Sequence, residues 1–526
     1  MSNQVLKLFA LLCRICHMTS NILSCAVLGV DGYIVEVEVD MSAGLPNFTT
    51  VGLPEGAVRE SKERVRSAIK NSGFKIPPRR ITVNLAPANI RKEGSSFDLP
   101  ISVGMLAASG RINPRAAEGF LIMGELSLDG RVKKIGGVLP MALCARQKGL
   151  KGVVVPRENA GEAALVSGIK VLATDNLASL VEHMEGKKQI EPEVFDKKCF
   201  GGDDENYEFD FSEVKGQHHA KRAMEIAASG GHNILMVGPP GSGKTLLARR
   251  MPTILPDMCF EEALETSKIY SVSGFLKEGR NFISERPFRS PHHTVSDAGL
   301  IGGGSLPRPG EISLAHNGVL FLDEMPEFKR TVIEAMRQPL EDGEVVISRA
   351  ATTLTYPAKF MLVGAMNPCH CGHLGDSTKP CVCRPDQIRK YRSRVSGPVL
   401  DRFDMNIEVP SLNYGELSAE TVSESSSEIK ARVNAAREIQ NERFKDKGFF
   451  SNSRMSPEMI KKVAPLCDSS KKILEKAVEK LGLSARAYDR IIKVSRTIAD
   501  LAASENIQPE HVAEAVQYRR LDRYFQ

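Results

Sequence analysis

The feature that most constrains this chain is the segment Gly238-Pro239-Pro240-Gly241-Ser242-Gly243-Lys244-Thr245, which fits the pattern G-x-x-x-x-G-K-[ST]. The apolar run at 233–237 predicts a buried strand before it, and residues 246–250 predict a helix after it. Glycines let backbone N–H groups surround phosphates, and a helix N-terminus adds a positive dipole end. The sequence therefore predicts a nucleoside triphosphate site with Lys244 on the outer phosphates and Thr245 on Mg²⁺. The alternative is an ordinary Gly-Pro turn.

Size and composition indicate a globular protein of several domains. A chain of 526 residues is too long for one core, and 42% hydrophobic with 25% charged residues is ordinary. The net charge of +6 permits nucleic-acid binding without demanding it. The chain has no uninterrupted apolar stretch of about 18 residues, which predicts no membrane partner. Eleven cysteines, scattered except for one cluster, favour a reducing, cytoplasmic location over a disulfide framework.

The first residues, 1–18, are either an uncertain leader or a mis-assigned start. The apolar run at 5–12 is short, its basic flank is weak, and Cys13-Arg14-Ile15-Cys16 is not a small-residue cleavage site. Met18 is the alternative first residue.

Changes in pattern along the chain predict three domains and a linker. Residues 19–185 alternate strand-like runs, at 33–39, 80–85, 152–156 and 170–172, with helical runs at 57–72 and 100–109. This indicates an α+β domain. A polar, acidic stretch at 186–210 is the linker, residues 211–411 form the α/β nucleotide-binding unit, and residues 412–526 form a helical domain.

Two further strands end in residues suited to ATP hydrolysis. The run 319–322 precedes Asp323 and Glu324, and the run 360–366 precedes Asn367. On a parallel sheet, carboxyl ends of strands lie near the phosphate loop. We expect Asp323 to hold Mg²⁺, Glu324 to polarise the attacking water, and Asn367 to orient that water. An apolar strand that merely ends in Asp-Glu is the plainer alternative.

Two arginines are candidates for phosphate contacts. Arg402 lies in a predicted turn between a helix and a strand, from which it can reach a neighbouring subunit's site. Its alternative is a surface ion pair with Asp401 or Asp404. Arg486 lies in the first turn of a helix, where a cation opposes the helix dipole and a bound anion would explain it. The alternative for Arg486 is an ordinary surface arginine.

Four cysteines form the spacing C-x-C-x₉-C-x-C: Cys369, Cys371, Cys381 and Cys383. Four thiolates in so short a segment suit a tetrahedral Zn²⁺ site, although C-x-C is a less usual chelating spacing than C-x₂-C. Free thiols and a redox or cluster role are the alternatives. The basic run that follows, 384–394, predicts a helix that faces DNA or a neighbouring subunit.

These motifs, in this order, resemble those of the AAA+ ATPases, in the magnesium-chelatase-like branch and within it the ComM/YifB family. The segments that carry the resemblance are Val51–Pro54, Arg79–Pro87, Phe288–His293 and Leu400–Asp404. The resemblance implies that Asn367 senses the γ-phosphate, Arg402 is an arginine finger and Arg486 is a second sensor. It also implies that Gly216 and Gln217 lie near the adenine. The implied protein is a hexameric motor on DNA, whose competence-linked relatives drive branch migration during natural transformation.

Loops between the core strands are candidates for DNA contact. His292 and His293, with the glycine-rich run 299–304, lie in an insert that the resemblance places toward the pore of a ring. Residues 344–354 predict a hairpin with Arg349 near its tip. Such groups suit a motor that grips the backbone of single-stranded or branched DNA without reading bases. The alternative is that they pack the ring or pair with acids.

Residues 19–185 resemble the catalytic domain of Lon proteases, which use a Ser–Lys dyad. Ser96 stands at the position of the serine, but Leu139 stands where the lysine is required. We therefore expect a non-proteolytic domain that binds DNA or braces the ring. Three functions remain open: a DNA-translocating motor, which is favoured, a magnesium-chelatase ATPase subunit, and a protein-remodelling ATPase.

Overall fold

The computed structural model describes residues 19–92, 94–195, 209–276, 281–304, 307–349, 352–376, 379–412, 423–445 and 447–522. Contacts divide the chain into two compact units, which are described separately. The first contains Met1–Gly202 and Ala263–Ile283, and the second contains Asp203–Glu262 and Ser284–Gln526. The predicted leader at 1–18 and the part of the linker at 196–208 lie outside the described residues.

The first unit is built on two four-stranded sheets. Its strands are β1 (Thr19–Leu28), β2 (Asp31–Ser42), β3 (Asn47–Val51), β4 (Arg80–Ala86), β5 (Phe120–Ile122), β6 (Glu125–Leu126), β7 (Val132–Lys133), β8 (Gly152–Pro156), β9 (Lys170–Thr174) and β10 (Pro192–Glu193). One sheet has the order β1-β2-β4-β3 and the other β10-β9-β8-β5, while β6 and β7 form a small pair. Both sheets are mixed, because β3 pairs with β4 in parallel whereas β1, β2 and β4 are antiparallel, and β10 is antiparallel to β9.

In the described residues before the linker, the helices beside these sheets are α1 (Gly56–Asn71), α2 (Asp98–Ala108), α3 (Val138–Gln147), α4 (Ala160–Ala164) and α5 (Leu177–Met184). The predicted helix at 57–72 and the predicted strand at 33–39 are confirmed as α1 and part of β2. Along β2, Val35, Val37 and Val39 are buried and the glutamates between them are exposed. This is the period-two pattern of a strand with one face in the core.

The division between the units falls in a place that the sequence does not reveal. Residues 263–283 follow the phosphate loop in the chain, but they pack in the first unit. There the Ser271 hydroxyl donates to the buried carboxylate of Glu162, which also accepts from the Leu139 backbone N–H over 3.0 Å. Burial raises the pKa of Glu162, while these donors oppose the rise.

The second unit contains one five-stranded parallel sheet with the order β12-β15-β18-β11-β19. Its strands and the hairpins beside it are β11 (Ile234–Val237), β12 (Phe288–Arg289), β13 (Gly302–Gly303), β14 (Arg308–Pro309), β15 (Val319–Leu322), β16 (Glu344–Arg349), β17 (Thr352–Pro357), β18 (Met361–Met366) and β19 (Met405–Glu408). Every residue of β11, β15 and β18 is buried. Continuous apolar strands of this kind are typical of a parallel sheet covered on both faces.

The helices of this unit are α6 (His218–Gly230), α7 (Lys244–Ile254), α9 (Asp297–Ile301), α10 (Glu311–Leu314), α11 (Arg330–Ala335), α12 (Arg337–Asp342), α13 (Pro385–Arg392), α14 (Gly397–Leu400), α15 (Ser426–Arg443), α16 (Pro457–Val463), α17 (Asp468–Leu481), α18 (Ala485–Leu501) and α19 (Pro509–Gln517). The helix α8 (Phe260–Ser273) begins in this unit and belongs to the first unit from Ala263 onward. The hydrophobic core joins Ile234 and Val363 of the sheet with Ile491 and Tyr518 of the last helices. Among the described residues, no helix is long and apolar enough to cross a membrane.

Candidate nucleotide site

The phosphate loop has the predicted context of strand, loop and helix. It follows β11 directly, and α7 begins at Lys244. Gly241 and Gly243 have φ angles of 76° and 86°, in the left-handed region that favours glycine. A Cβ atom on Gly238 would lie 2.1 Å from the Val409 carbonyl oxygen, so only glycine fits there. The glycines of the motif are therefore explained by backbone conformation and close approach.

The side chain of Lys244 folds back onto the phosphate loop. Its Nζ donates to the carbonyl oxygens of Gly238 and Pro239, both over 2.8 Å, and to Oδ1 of Asn367 over 3.3 Å. Burial lowers the pKa of Lys244 to about 8, against the opposing effect of Asp323 and Glu324. The structure thus brings the predicted sensor Asn367 to the predicted phosphate-binding lysine.

Thr245 and Asp323 form the side of the site suited to Mg²⁺. The Thr245 hydroxyl donates to Oδ2 of Asp323 over 2.6 Å. Thr245 lies on α7 after the loop that follows β11, and Asp323 follows β15; β18 separates these two strands, yet the two side chains meet at the carboxyl ends of the sheet. A hydroxyl and a carboxylate in contact are the oxygen donors that Mg²⁺ uses beside a phosphate loop. The donor set therefore fits Mg²⁺.

Glu324 follows Asp323 in an unusual conformation. Its φ angle is 49°, which is uncommon for a residue with a side chain, and its backbone N–H donates to Oδ1 of Asp323 over 2.9 Å. Its Oε2 lies 3.9 Å from Nδ1 of His293, whose ring lies 4.0 Å from that of His292 between centroids. The histidine pair predicted to touch DNA is therefore beside the carboxylate predicted to polarise water.

Arg349 lies elsewhere in the unit. The predicted hairpin is confirmed, with β16 and β17 paired from Glu344 to Pro357 and Arg349 opposite Thr352 at its end. An Nη2 atom of Arg349 lies 3.4 Å from the position that a Cβ on Gly303 would take. The hairpin and the glycine-rich segment therefore adjoin, and the candidate DNA residues fall into two groups.

Gln217 contacts the phosphate loop directly, and Gly216 precedes it in the chain. Both have left-handed φ angles, 57° and 50°, and the Gln217 side-chain amide donates to the Ser242 carbonyl oxygen over 2.7 Å. Their predicted place near the adenine is not tested by these contacts. The sequence did not predict the contact between Gln217 and Ser242, because these residues are far apart in the chain.

Arg402 and Arg486 meet at a residue that the sequence did not indicate. The Arg402 side chain is only 5% exposed and pairs with the carboxylate of Glu341, and its Nη1 donates to the Pro398 carbonyl oxygen over 3.0 Å. Arg486, 61% exposed, lies 3.9 Å from the same carboxylate. Among the described ion pairs, Arg402 is joined to Glu341 and not to the expected alternatives Asp401 or Asp404, and Asp404 pairs with Arg490 over 3.2 Å. Nothing in the local pattern around residue 341 points to it.

The four cysteines converge. The Sγ atoms of Cys369, Cys371, Cys381 and Cys383 all lie within 4.8 Å of one another. The separations from Cys369 to Cys371, from Cys369 to Cys381 and from Cys371 to Cys381 are 3.4, 3.7 and 3.6 Å. A disulfide requires about 2.05 Å, so the four are thiols.

Comparison with known proteins identifies the family. The model of magnesium chelatase, subunit ChlI, matches residues 210–417, a second model of that subunit matches residues 37–159, and the model of its C-terminal part matches residues 423–519. Competence protein ComM of Haemophilus influenzae is 46% identical over 95% of this chain and 97% of its own length. The chain belongs to the ComM/YifB family. The YifB protein of Escherichia coli is 44% identical over 95% of the chain and 96% of its own length.

Membership of the ComM/YifB family makes the chain a magnesium-chelatase-like AAA+ ATPase, for which ATP and Mg²⁺ are implied. Similarity to a chelatase proper covers less. The magnesium-chelatase 38 kDa subunit of Rhodobacter capsulatus is 26% identical over 41% of the chain and 59% of its own length. The near end-to-end match to ComM and YifB therefore describes this chain better than the chelatase match does.

Proposed function

We propose that this protein is an ATP-hydrolysing ring motor that acts on single-stranded or branched DNA in the cytoplasm, as a branch-migration helicase. The observation that carries the proposal is an ATP site split in two. Lys244, Thr245, Asp323 and Asn367 meet at one place, whereas Arg402 and Arg486 are held together on Glu341. In the described part of the chain, no contact joins these arginines to the phosphate loop. A second subunit would supply them.

Each residue of the loop side has a chemical task. Lys244, released from the Gly238 and Pro239 carbonyls, binds the outer phosphates. Thr245 and Asp323 would hold Mg²⁺, and that ion would supply positive charge beside the phosphates. Glu324 accepts the proton of the attacking water, and Asn367 orients that water toward the γ-phosphate.

The arginine side completes the site of a neighbouring subunit. The Nε atom of Arg402 is buried and, within the described residues, lacks a hydrogen-bond partner. A buried donor without a partner is costly, and a phosphate oxygen would satisfy it. Arg402 then acts as an arginine finger and Arg486 as a second sensor, in a homo-oligomer that we take to be a hexamer.

Two groups of residues would connect the motor to DNA. Arg349, beside the glycine-rich turn, contacts the DNA backbone. His292 and His293 lie in the insert that would meet DNA, and His293 lies beside Glu324, so that a DNA contact there can change the position of the catalytic carboxylate. The similarity to competence protein ComM of Haemophilus influenzae supports DNA as the partner.

The first unit would brace the ring or bind DNA rather than cleave peptides. Ser96 is nearly buried, and Leu139, at the position of the dyad lysine, is fully buried in the core. Lys92 is also buried, with its Nζ donating to the Ile90 carbonyl oxygen over 2.8 Å. With Leu139 at the position of the dyad lysine, the Lon-like resemblance offers no lysine there to activate Ser96.

The test is ATP hydrolysis with and without DNA. We expect single-stranded and forked DNA to bind the protein and to accelerate phosphate release. Absence of both binding and acceleration would reject the DNA motor in favour of a remodelling ATPase. Acceleration of ATP hydrolysis by a tetrapyrrole and the other subunits of a chelatase would instead favour a chelatase ATPase subunit. The match to the family model of magnesium chelatase, subunit ChlI, is the observation behind this alternative.

A further inference from the structure

The Sγ atoms of the four cysteines lie within 4.8 Å of one another, as the ligands of one metal ion would. Sulfur ligands about 2.3 Å from a tetrahedral Zn²⁺ lie about 3.8 Å from one another. The three measured separations, 3.4 to 3.7 Å, come close to this value without any disulfide. In addition, the backbone N–H of Cys371 donates to Sγ of Cys383 over 3.4 Å. A metal ion shared by the four sulfur atoms would account for this convergence.

The nearby histidine does not compete with the thiols for a metal. Nδ1 of His373 lies 2.9 Å from Oδ2 of Asp376, so that the ring is held by this carboxylate. The ligand set is therefore four sulfurs, which among divalent cations suits Zn²⁺ and not Mg²⁺.

The segment that carries the four cysteines, from Cys369 to Cys383, packs against the phosphate loop at Gly372. Cys369 comes two residues after Asn367, which accepts the hydrogen bond from Lys244. Gly372, between the first two cysteines and the rest of the cluster, lies so close to the loop that a Cβ on it would be 2.4 Å from Cδ of Pro240. A cavity of about 280 Å³ is lined both by residues of the phosphate loop, Gly238 and Pro239, and by residues of the cysteine segment, Leu374 and Gly375.

The chain after the cluster is tied back to the same place. Nε of Arg392, at the end of α13, donates to the Pro368 carbonyl oxygen over 3.1 Å. Pro368 stands between Asn367 and Cys369. Both ends of the segment are therefore anchored beside the sensor, and the cysteine cluster lies between these anchors.

We propose that Cys369, Cys371, Cys381 and Cys383 bind one Zn²⁺, and that this metal fixes the phosphate loop and Asn367 in the geometry that binds ATP. The cysteines act here as positioning residues, since none of them touches the loop lysine in the described contacts. The inference rests on the ATP site of the proposed function but on none of its DNA steps.

The test compares full-length protein with the double variant Cys381→Ser/Cys383→Ser, which removes the two ligands farther in sequence from Asn367. The control is Cys467→Ser, an exposed cysteine outside the cluster. We expect one zinc per chain in the wild type and the control and none in the double variant. Affinity for a fluorescent ATP analogue should fall by about tenfold or more in the double variant, the usual cost of losing support around a site.

Two further measurements keep the result decisive if the double variant folds poorly. Wild-type protein stripped by a zinc chelator should lose analogue affinity and regain it when Zn²⁺ alone is returned. The variant Gly372→Ala should retain zinc but bind the ATP analogue more weakly, because the new Cβ would collide with Pro240.

Zinc absent from the wild type overturns the metal site. Zinc present, with unchanged analogue affinity after its removal, overturns the coupling. All of these measurements are made without DNA, so that their failure is distinct from a failure of DNA-stimulated hydrolysis.

Discussion

Arg402 and Glu341 form a partly buried ion pair within a single chain. The arginine is almost fully enclosed, and the glutamate is about half exposed and also lies near Arg486. For Arg402 to reach a phosphate, this pair must open. The pair thus marks the surface that we propose to meet the ATP of a neighbouring subunit.

The first prediction concerns sites shared between subunits. Arg402→Ala and Lys244→Ala should each reduce ATP hydrolysis, the first by on the order of 10³-fold, as for other arginine fingers. A mixture of the two variants should recover activity, because the intact loop of one chain meets the intact arginine of the other. Steady-state phosphate release over a range of mixing ratios measures this.

The control for mixing is Lys244→Ala combined with Lys244→Ala/Arg402→Ala, which offers no complete interface. Recovery in this control, or no recovery in the complementary mixture, would show that Arg402 does not act across subunits.

Glu324→Gln should trap ATP and stop turnover. The amide keeps the size of the side chain but cannot accept a proton from water, so analogue affinity should stay within about twofold while hydrolysis falls by on the order of 10²-fold or more. Glu438→Gln, at an exposed position on α15, serves as the matched control. Continued hydrolysis by Glu324→Gln would refute the role given to this carboxylate.

ATP affinity should depend on pH through Lys244. Burial lowers the pKa of Lys244 to about 8 in the empty site, and the bound phosphates require the protonated amine. The free site loses this proton as pH rises. The dissociation constant for ATP should therefore be about tenfold larger at about pH 9 than at about pH 7. Titrations with a fluorescent analogue measure the change, and a constant affinity over this range would contradict the assigned pKa.

Arg349→Ala should weaken binding to single-stranded DNA and make it less sensitive to salt. Loss of one phosphate contact lowers the slope of log affinity against log salt by about 0.7 for a single strand. The effect should be the same for different base sequences, since the contact is to the backbone. Arg115→Ala, at an exposed position in the first unit, is the comparison. An unchanged slope in Arg349→Ala would remove the hairpin from the proposed DNA surface.

The local parts of this site could be predicted from sequence, and the distant pairings could not. The strand, loop and helix around Lys244 follow from a pattern whose spacing is set by the backbone. The end-of-strand positions of Asp323 and Asn367 follow from how parallel strands align. Glu341 escaped prediction because its meeting with Arg402 depends on the packing of α12 against a turn 61 residues away.

The assignment of residues 263–283 to the first unit also could not be predicted from sequence. Residues 263–283 carry no sequence signal that separates them from the nucleotide-binding part, because α8 is one continuous helix across the division. Their place is set by contacts such as that of Ser271 with Glu162. Such contacts between distant segments leave no periodic trace in the chain.

The most direct test of the DNA motor is movement of a labelled three-stranded DNA junction. Wild-type protein with ATP and Mg²⁺ should move the branch point and release the labelled strand, whereas Glu324→Gln with ATP should bind the junction and leave it intact. Wild-type protein that hydrolyses ATP at the same rate with and without the junction, and releases no strand, would contradict the account.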